Sequence, residues 1–327
     1  MTAHSLHGVH KESVLEEHLV AHLVKGQGYE RRTPECFDRA SALDRDLVLR
    51  FVRETQPDEW SKLEAQYSAS AEAEFFKNLE KALKSRSTLD VLRSGFKMIP
   101  GIQFSLCYFK PASALEPKRV LEYGANILSV IRQVRYSLKS ENAIDVVLFV
   151  NGIPAVTMEL KNLLTGSTFR HAERQYRTDR SPAGEPLLTF KRGALVHFAL
   201  DEDNVSMTTH LANGRTRFLP FNRGRDGGAG NPDIDGEFRV AYLYRDGDWG
   251  KAIFSRDVLL DVIGKFMHLQ GNEKKQDVMI FPRFQQLDAV RKMIDHARSL
   301  SDLGNRSEAR GKSRTDFRSF EANSCSI

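Results

Sequence analysis

The sequence has 327 residues, of which 41% are hydrophobic and 28% are charged, with a formal net charge of +5, as in ordinary soluble globular proteins of one or two domains. No apolar run approaches the roughly 20 residues that cross a bilayer, which argues against an integral membrane protein. The N-terminus carries His and acidic residues where a signal peptide needs an apolar core, so we expect a cytoplasmic protein.

The cysteines and the net charge restrict the function only weakly. Cys36, Cys107 and Cys325 are odd in number and far apart, and no two of them form a CxxC pair. This spacing argues against a disulfide framework and a zinc knuckle, and favours reduced thiols. The positive charge permits a polyanionic partner without requiring one.

The N-terminal part is predicted to be helical. Leu15, Leu19 and Leu23 recur every four residues, which predicts an amphipathic helix over residues 12–24. Residues 38–94 are expected to continue mainly as helices.

After Pro100 the composition changes to short β-branched and aromatic runs separated by turn residues. These runs predict strands in "IQFSLCYF", "NILSVIRQVRYS", "AIDVVLFV" and "AVTMELKN", then a helix over 168–180 and strands in "GALVHFAL", "NVSMTTHLA" and "RTRFLPF". Strands that alternate with a helix and are flanked by helices predict an α/β fold with a mixed β-sheet. Helices are predicted over 257–270 and 283–298, and the tail 301–327, rich in Ser and Arg, is expected to be disordered.

Two glycine motifs do not support a nucleotide site. Gly228 and Gly230 are followed by Asn-Pro-Asp where a dinucleotide-binding loop needs a helix start. The "GKS" at Gly311–Ser313 has Arg306 where a phosphate loop needs its first glycine, and no strand precedes it.

Three ionisable residues lie on two adjacent predicted strands. Asp145 begins the first strand, and Glu159 and Lys161 leave the same face of the second because a strand has period two. Asn151-Gly152 between the strands is a hairpin turn signal. A two-residue loop places Asp145 opposite Met158, whereas a three-residue loop, or a bulge of equal effect, places it opposite Glu159.

The second register would build a metal site. Two carboxylates at short range repel each other, and a hard cation such as Mg²⁺ between them removes that repulsion. The Leu160 carbonyl is a further candidate ligand, and Lys161 could position a metal-activated water and stabilise developing charge. The alternative is a plain Glu–Lys pair on a half-exposed strand.

The helix that follows carries an arginine stripe. Arg170, Arg174 and Arg177 recur at i, i+4 and i+7, on one face of the predicted helix. Arginines beside a metal site are suited to binding the phosphates of DNA. The alternative is a solvated face whose charge is relieved by Glu173 and Asp179.

The stretch "NAIDVVLFVNGIPAVTMELKN" resembles the nuclease core of the R (restriction) subunit of type I restriction–modification enzymes, in the PD-(D/E)xK nuclease superfamily. The similarity continues in "QYRTDRSP", "FKRGALVHFALD", "MTTHLANGRTRFLPFNRG" and "GAGNP", and "IFPRFQQLDAVRKM" is similar to the segment that opens the family's ATPase motor. The resemblance implies a Mg²⁺-dependent endonuclease domain that acts on double-stranded DNA. Asp145 and Glu159 then take the metal-ligand positions, and Lys161 takes the position of the catalytic lysine.

The resemblance also implies supporting residues. Family enzymes use an acidic residue on the first helix, and either Glu12 or Glu16 could fill that role here. Several members carry a supporting Gln and Tyr four positions apart after the lysine, whereas Gln175 and Tyr176 are adjacent, which puts that role in doubt. In the motor-opening segment, Gln286 would contact adenine.

The resemblance further implies an organisation of the chain: an endonuclease domain over 1–255, a helical connector and motor-opening segment over 256–300, and a divergent tail over 301–327. Family members continue into an ATP-driven motor that is missing here, so we expect a truncated chain without its own ATP site or translocation. The expected partners are DNA and the modification and specificity subunits. Two alternatives stay open: a catalytically silent docking module of the same family, and a stand-alone repair or recombination nuclease.

Overall fold

The computed structural model describes residues 4–98, 101–112, 115–225, 228–272, 275–294 and 296–297, without the side chains of residues 4–13, 165, 272, 275 and 276. The predicted tail, 301–327, lies outside the described residues. The chain divides into two units, Met1–Phe281 and Pro282–Ile327, which are described separately.

A mixed sheet of seven strands organises the first unit. In spatial order the strands are β1 (Glu30–Arg32), β4 (Leu128–Arg135), β5 (Ala143–Val150), β6 (Ile153–Leu160), β7 (Val196–Leu200), β8 (Val205–Thr208) and β9 (Leu219–Pro220). The pairs β1–β4 and β6–β7 are parallel, and the other neighbouring pairs are antiparallel. Two hairpins stand apart from this sheet: β2 (Phe96–Met98) with β3 (Ile102–Phe104), and β10 (His268–Asn272) with β11 (Lys275–Ile280).

Helices flank the sheet, which confirms the predicted α/β class. In the described residues of the first unit they are α1 (His4–Gln27), α2 (Arg45–Thr55), α3 (Pro57–Tyr67), α4 (Ala71–Ser85), α5 (Thr88–Ser94), α6 (Pro117–Gly124), α7 (Phe169–Thr178) and α8 (Arg256–Asp261). The mainly helical stretch predicted over 38–94 is therefore correct, whereas α6 was not predicted. No helix within the described ranges combines the length and the hydrophobicity that a bilayer crossing requires.

Helices α1 and α7 cover opposite faces of the sheet. Leu15, Leu19 and Leu23 of α1 are buried, as the amphipathic pattern predicts. On β4, Ile131 belongs to the core cluster that includes residues of α7, and the next residue, Arg132, binds Glu16 of α1. Because successive strand side chains point to opposite faces, the two helices lie on opposite sides of β4.

The prediction of a helix over 257–270 is wrong in its second half. Helix α8 ends at Asp261 and continues as a π-helical turn over Val262–Phe266, and then the chain enters strand β10 at His268. In the hairpin of β10 and β11, the hydrogen bonds between the two strands take the place of the hydrogen bonds that a longer helix would have made. Periodicity alone does not separate a short apolar helix from a strand.

In the second unit, residues 284–294 are helical, within the helix predicted over 283–298. Gln286 lies in the first turn, where its Oε1 accepts a hydrogen bond from the backbone N–H of Arg283 at 3.0 Å. This contact satisfies one of the backbone donors that a helix N-terminus leaves unpaired.

Candidate active site

The hairpin between β5 and β6 has a two-residue turn. Asn151 and Gly152 both have positive φ, 51° and 78°, the conformation of a type I′ turn, for which Asn-Gly is the preferred sequence. Val150 pairs with Ile153, so the alternative of a three-residue loop is wrong.

A β-bulge in β6 then shifts the register by one residue. Phe149 pairs with Pro154 but Leu148 pairs with Val156, which leaves Ala155 as the extra residue. Proline has no N–H to donate to the ladder and is found inside sheets at bulges or edges, so Pro154 accounts for the position of the irregularity.

The bulge places the two carboxylates opposite each other. Beyond the bulge Val146 pairs with Met158, so the next pair in register is Asp145 with Glu159. A slip of one residue in a strand exchanges its faces, and without the bulge Asp145 would face Met158. The bulge alternative of the sequence analysis is therefore confirmed.

Glu159 is fully buried and only half of its carboxylate has a partner. Arg180, itself 7% exposed, donates from Nε to Glu159 Oε1 at 2.6 Å and from Nη2 to the carbonyl of Ala143 at 2.9 Å. Glu159 Oε2 is buried and has no hydrogen-bond partner in the described part of the chain. Burial, and then the nearby Asp145 carboxylate, raise the pKa of Glu159 well above its usual range, against the opposing effect of Arg180.

Asp145 lies where β5 and β6 separate. Its Oδ2 accepts a hydrogen bond from the backbone N–H of Leu160 at 2.8 Å, so this carboxylate replaces a backbone acceptor of the ladder. In a strand the N–H and the carbonyl of one residue point toward the same neighbour. The Leu160 carbonyl is therefore directed to the side of β5 on which Asp145 lies.

Gln133 links Asp145 to the first helix. Its Nε2 lies 3.4 Å from Asp145 Oδ1 and 3.2 Å from Oε2 of Glu16, which is 6% exposed. Arg132 binds the other oxygen of the Glu16 carboxylate. Gln133 has a φ of 49° in the middle of β4, a strained conformation for a residue with a Cβ, and such strain is concentrated at functional sites.

Of the two candidate acidic residues on α1, the structure brings Glu16 to the site. Glu12 belongs to the same helix, but its side chain lies outside the described residues. Lys161 follows β6 immediately and is half-buried, and its backbone N–H donates to the carbonyl of Leu200 at 2.9 Å. No hydrogen bond or ion pair of the Lys161 ammonium group occurs within the described residues, so this cation is available to a ligand.

Tyr176 contacts β6 at Thr157, two residues before Glu159, whereas no side-chain hydrogen bond of Gln175 occurs within the described residues. Tyr176 is fully buried, and its hydroxyl lies 2.9 Å from Thr157 Oγ1, which lies 2.7 Å from Nδ1 of His197. Burial lowers the pKa of His197 to about 3, so its ring is neutral. Gln175 is half-buried, and the residue four positions before Tyr176 is the buried Ala172.

The three arginines of the stripe on α7 differ in exposure: Arg177 is held by contacts within the protein, whereas Arg170 and Arg174 are exposed. Arg177 donates to the carbonyl of Thr216 at 3.1 Å, pairs with Glu173 at 3.2 Å and lies over the ring of Phe218. Arg170, whose side chain is 71% exposed, pairs with Glu173 at 3.4 Å, and Arg174 is exposed.

Glu173 is one of the two acidic residues of the alternative interpretation. By pairing with Arg170 and Arg177, it offsets part of the positive charge of the stripe. The Oδ1 of the other, Asp179, accepts a hydrogen bond from Thr178.

Sequence reasoning missed Arg180 and Gln133. Arg180 lies within "QYRTDRSP", but nothing in the spacing indicates that the chain returns it to Glu159, 21 residues earlier. The only signal for Arg180 in the sequence was general, namely that a carboxylate buried in the fold needs a cationic partner. Gln133 lies in a predicted strand and gives no sequence signal of its positive φ.

A family model for the N terminus of the type I restriction enzyme R protein matches residues 10–215. The chain belongs to this family. The matched region contains α1 from His10 onward, the whole β5–β6 hairpin and α7, and so includes the part of each element that contributes to the candidate site. No curated protein matches the chain.

Residues 10–215 of this chain therefore correspond to the N-terminal region of the type I restriction enzyme R protein. Its mixed seven-stranded sheet flanked by helices is consistent with a PD-(D/E)xK nuclease-like fold. Asp145, Glu159 and Lys161 occupy the hairpin of this R-subunit region, at the point where β5 and β6 separate.

Proposed function

We propose that the chain is a Mg²⁺-dependent endonuclease domain of a type I restriction R subunit, which hydrolyses phosphodiester bonds of double-stranded DNA. The observation that carries the proposal is the bulge at Ala155, which aligns Asp145 with Glu159 while Lys161 follows directly after β6. A structural ion pair between Glu159 and Lys161 would not need that alignment, and Glu159 pairs with Arg180 instead.

The residues present suit a hard divalent cation. Glu159 Oε2 is a buried carboxylate oxygen without a partner among the described residues, and Asp145 adds a second carboxylate beside it. The Leu160 carbonyl, directed toward the same place, completes a set of oxygen donors of the kind that Mg²⁺ prefers. When bound, Mg²⁺ lowers the pKa of a coordinated water and neutralises charge that develops on a phosphoryl oxygen.

Residues of the chain itself then position the reacting groups. Arg180 fixes one oxygen of Glu159 and leaves the other for the metal. Gln133 holds Asp145 and Glu16 in place through its single amide nitrogen. Lys161, whose ammonium group has no protein partner in the described part, orients the attacking water and stabilises charge on the phosphate.

The DNA backbone is expected to lie along the exposed arginines. Arg170 and Arg174 are the exposed members of the stripe on α7, and guanidinium groups suit phosphate oxygens. A cleft of about 350 Å³ opens beside Gln133, but Glu35 also lines it, and its two arginines, Arg39 and Arg135, both pair with Glu141. Arg177 contributes less, because Glu173 and Thr216 already occupy its guanidinium group.

The proposed organisation of the chain rests on the resemblance of its segments to those of the family. Residues 1–255 form the endonuclease domain, and residues 256–300 correspond to the connector and opening segment of a motor, in which Gln286 is the residue proposed to contact adenine. The modification and specificity subunits of a restriction–modification complex are the proposed protein partners, because target recognition belongs to them in this family.

Conversion of supercoiled plasmid to nicked and linear forms tests the activity. With Mg²⁺ the full chain is expected to cleave, and Asp145→Ala and Lys161→Ala are expected to reduce the rate at least about a hundredfold, because each removes transition-state charge stabilisation. Lys118→Ala is a matched control, since Lys118 is 89% exposed on α6 and its single ion pair within the described residues is with Glu122, at 3.9 Å.

Two results would contradict the proposal: no cleavage with either Mg²⁺ or Mn²⁺, or cleavage that Asp145→Ala leaves unchanged. The first would favour the silent docking module. Preferential cleavage of branched DNA over plain duplex would favour a repair or recombination nuclease.

A further inference from the structure

A second cluster of ligand-type side chains lies on the other face of α1. His18 and His22 are four residues apart, so both project from one face of the helix, and Glu237 approaches them from a loop. One candidate ligand atom from each of the three residues lies within 4.8 Å of the other two. All three side chains are half-buried or nearly buried, with exposures of 29% for His18 and 13% for Glu237.

Both histidines already use one ring nitrogen. Nδ1 of His22 donates to the backbone carbonyl of His18 at 2.9 Å, and Nδ1 of His18 lies 3.1 Å from the hydroxyl of Tyr244. With the ring protons on Nδ1, the Nε2 lone pairs are directed away from these contacts. A histidine that binds a metal characteristically engages its other nitrogen in such a hydrogen bond.

Glu237 has one oxygen occupied and one available. Arg245 pairs with Oε1, and Oε2 is buried without a hydrogen-bond partner in the described part of the chain. Glu237 Oε2 nevertheless lies only 3.3 Å from Nε2 of His18. Two ligand atoms that are each about 2.1 Å from a tetrahedral ion lie about 3.4 Å apart, so this separation suits a shared metal.

We propose that His18, His22 and Glu237 form a binding site for a divalent transition-metal ion, preferentially Zn²⁺. Two imidazoles and one carboxylate are ligands that Zn²⁺ accepts in tetrahedral geometry, whereas Mg²⁺ prefers oxygen ligands alone. Three protein ligands leave the fourth position of the ion open to water.

This site is distinct from the candidate nuclease site. Glu16 and His18 are two residues apart on α1, so their side chains leave the helix about 200° apart. Glu16 points to Gln133, and His18 points to Tyr244. A bound ion would tie α1 to the segment that contains Glu237, and would thereby fix the helix that delivers Glu16 to the nuclease site.

Isothermal titration calorimetry of the EDTA-treated full chain with Zn²⁺ tests the proposal. All proteins carry Asp145→Asn, so that the carboxylates of the hairpin do not contribute a second binding event and failure of the proposed nuclease function does not affect the result. We expect one high-affinity site, and we expect His22→Ala and Glu237→Gln each to weaken binding at least about tenfold. Glu237→Gln keeps the shape of the side chain, and His22 is partly exposed, so both variants are expected to fold.

The matched control replaces the other histidines of α1, His4, His7 and His10, together by Ala, because their side chains lie outside the described residues and could bind Zn²⁺ themselves. This control is expected to keep the Zn²⁺ affinity of the parent protein. The proposal is overturned if the parent protein does not bind Zn²⁺, if His22→Ala and Glu237→Gln bind as well as the parent, or if the triple replacement removes binding.

Discussion

The two ends of the β5–β6 hairpin differ in how completely their polar groups are satisfied. At the turn, Asn151 Oδ1 accepts from the N–H of Ile127 at 2.6 Å, and its Nδ2 donates to Leu106 and Asn126, both at 2.9 Å. The carbonyl of Gly152 accepts from the N–H of Asp44 at 2.9 Å. This end is anchored to its surroundings through the Asn151 side chain, the Asn151 N–H, which donates to the carbonyl of Ile127 at 2.7 Å, and the Gly152 carbonyl.

At the open end the satisfaction is incomplete. The ladder ends at Val146 and Met158, Glu159 Oε2 has no partner among the described residues, and Gln133 has positive φ. An unsatisfied buried group and a strained backbone each cost free energy, and native proteins concentrate such costs at functional sites. The anchored turn therefore fixes the register of the two strands, and at the open end that register aligns the carboxylates of Asp145 and Glu159.

The largest expected effect is at the turn. Gly152→Ala should lower the free energy of unfolding by about 3 kcal/mol or more, because a Cβ at φ 78° would lie 2.4 Å from the carbonyl oxygen of Asp44. Urea denaturation measures the loss. Gly28→Ala is the control, since Gly28 has a φ of 72° and open space around its Cβ position. Equal losses in the two variants would show that the turn is not sterically anchored.

At the open end, the pH dependence of stability tests the burial of Glu159. The pKa of Glu159 is raised well above its usual range in the folded protein, so the folded state holds this proton to a higher pH than the unfolded state does. The contribution of Glu159 to the stability of the metal-free protein should therefore be fully present below the unfolded pKa and should be lost as pH rises through the folded pKa. Glu159→Gln removes this contribution, so the loss of stability with rising pH should be smaller in the variant than in the parent. A loss that is unchanged in Glu159→Gln, measured by denaturation in EDTA, would contradict this description.

The smallest expected effect concerns Gln133. Replacing it with Gly removes the strain of a Cβ at positive φ, so Gln133→Gly should be about 1 kcal/mol more stable than Gln133→Ala. Both variants lose the amide that connects Asp145 and Glu16, so both should cleave plasmid more slowly than the parent. If the Ala variant is as stable as the Gly variant, the backbone strain is not a property of the protein in solution.

The hairpin shows how far the sequence alone leads. Asn151-Gly152 predicted the turn, because those residues suit positive φ, and the pattern of residues 155–162 predicted the strand that carries Glu159, although this strand ends at Leu160, just before Lys161. The register stayed open between a plain two-residue loop, which places Asp145 opposite Met158, and a three-residue loop or a bulge. Pro154 was the available signal for the bulge, since a proline within a strand interrupts the ladder.

Other parts of the site depend on tertiary structure. Arg180 reaches Glu159 only because α7 ends at Thr178 and the chain turns back toward β5. The same limitation applies to β10, which is a strand because β11 pairs with it and not because of its own composition. Local patterns predict elements well, but contacts between distant segments require the folded chain.

The most direct test of the account is a crystal structure of the full chain soaked in Mn²⁺, with an anomalous difference map. The account predicts a peak within bonding distance of the carboxylates of both Asp145 and Glu159. A map in which the only peaks lie elsewhere, with Glu159 bound solely to Arg180, would contradict it.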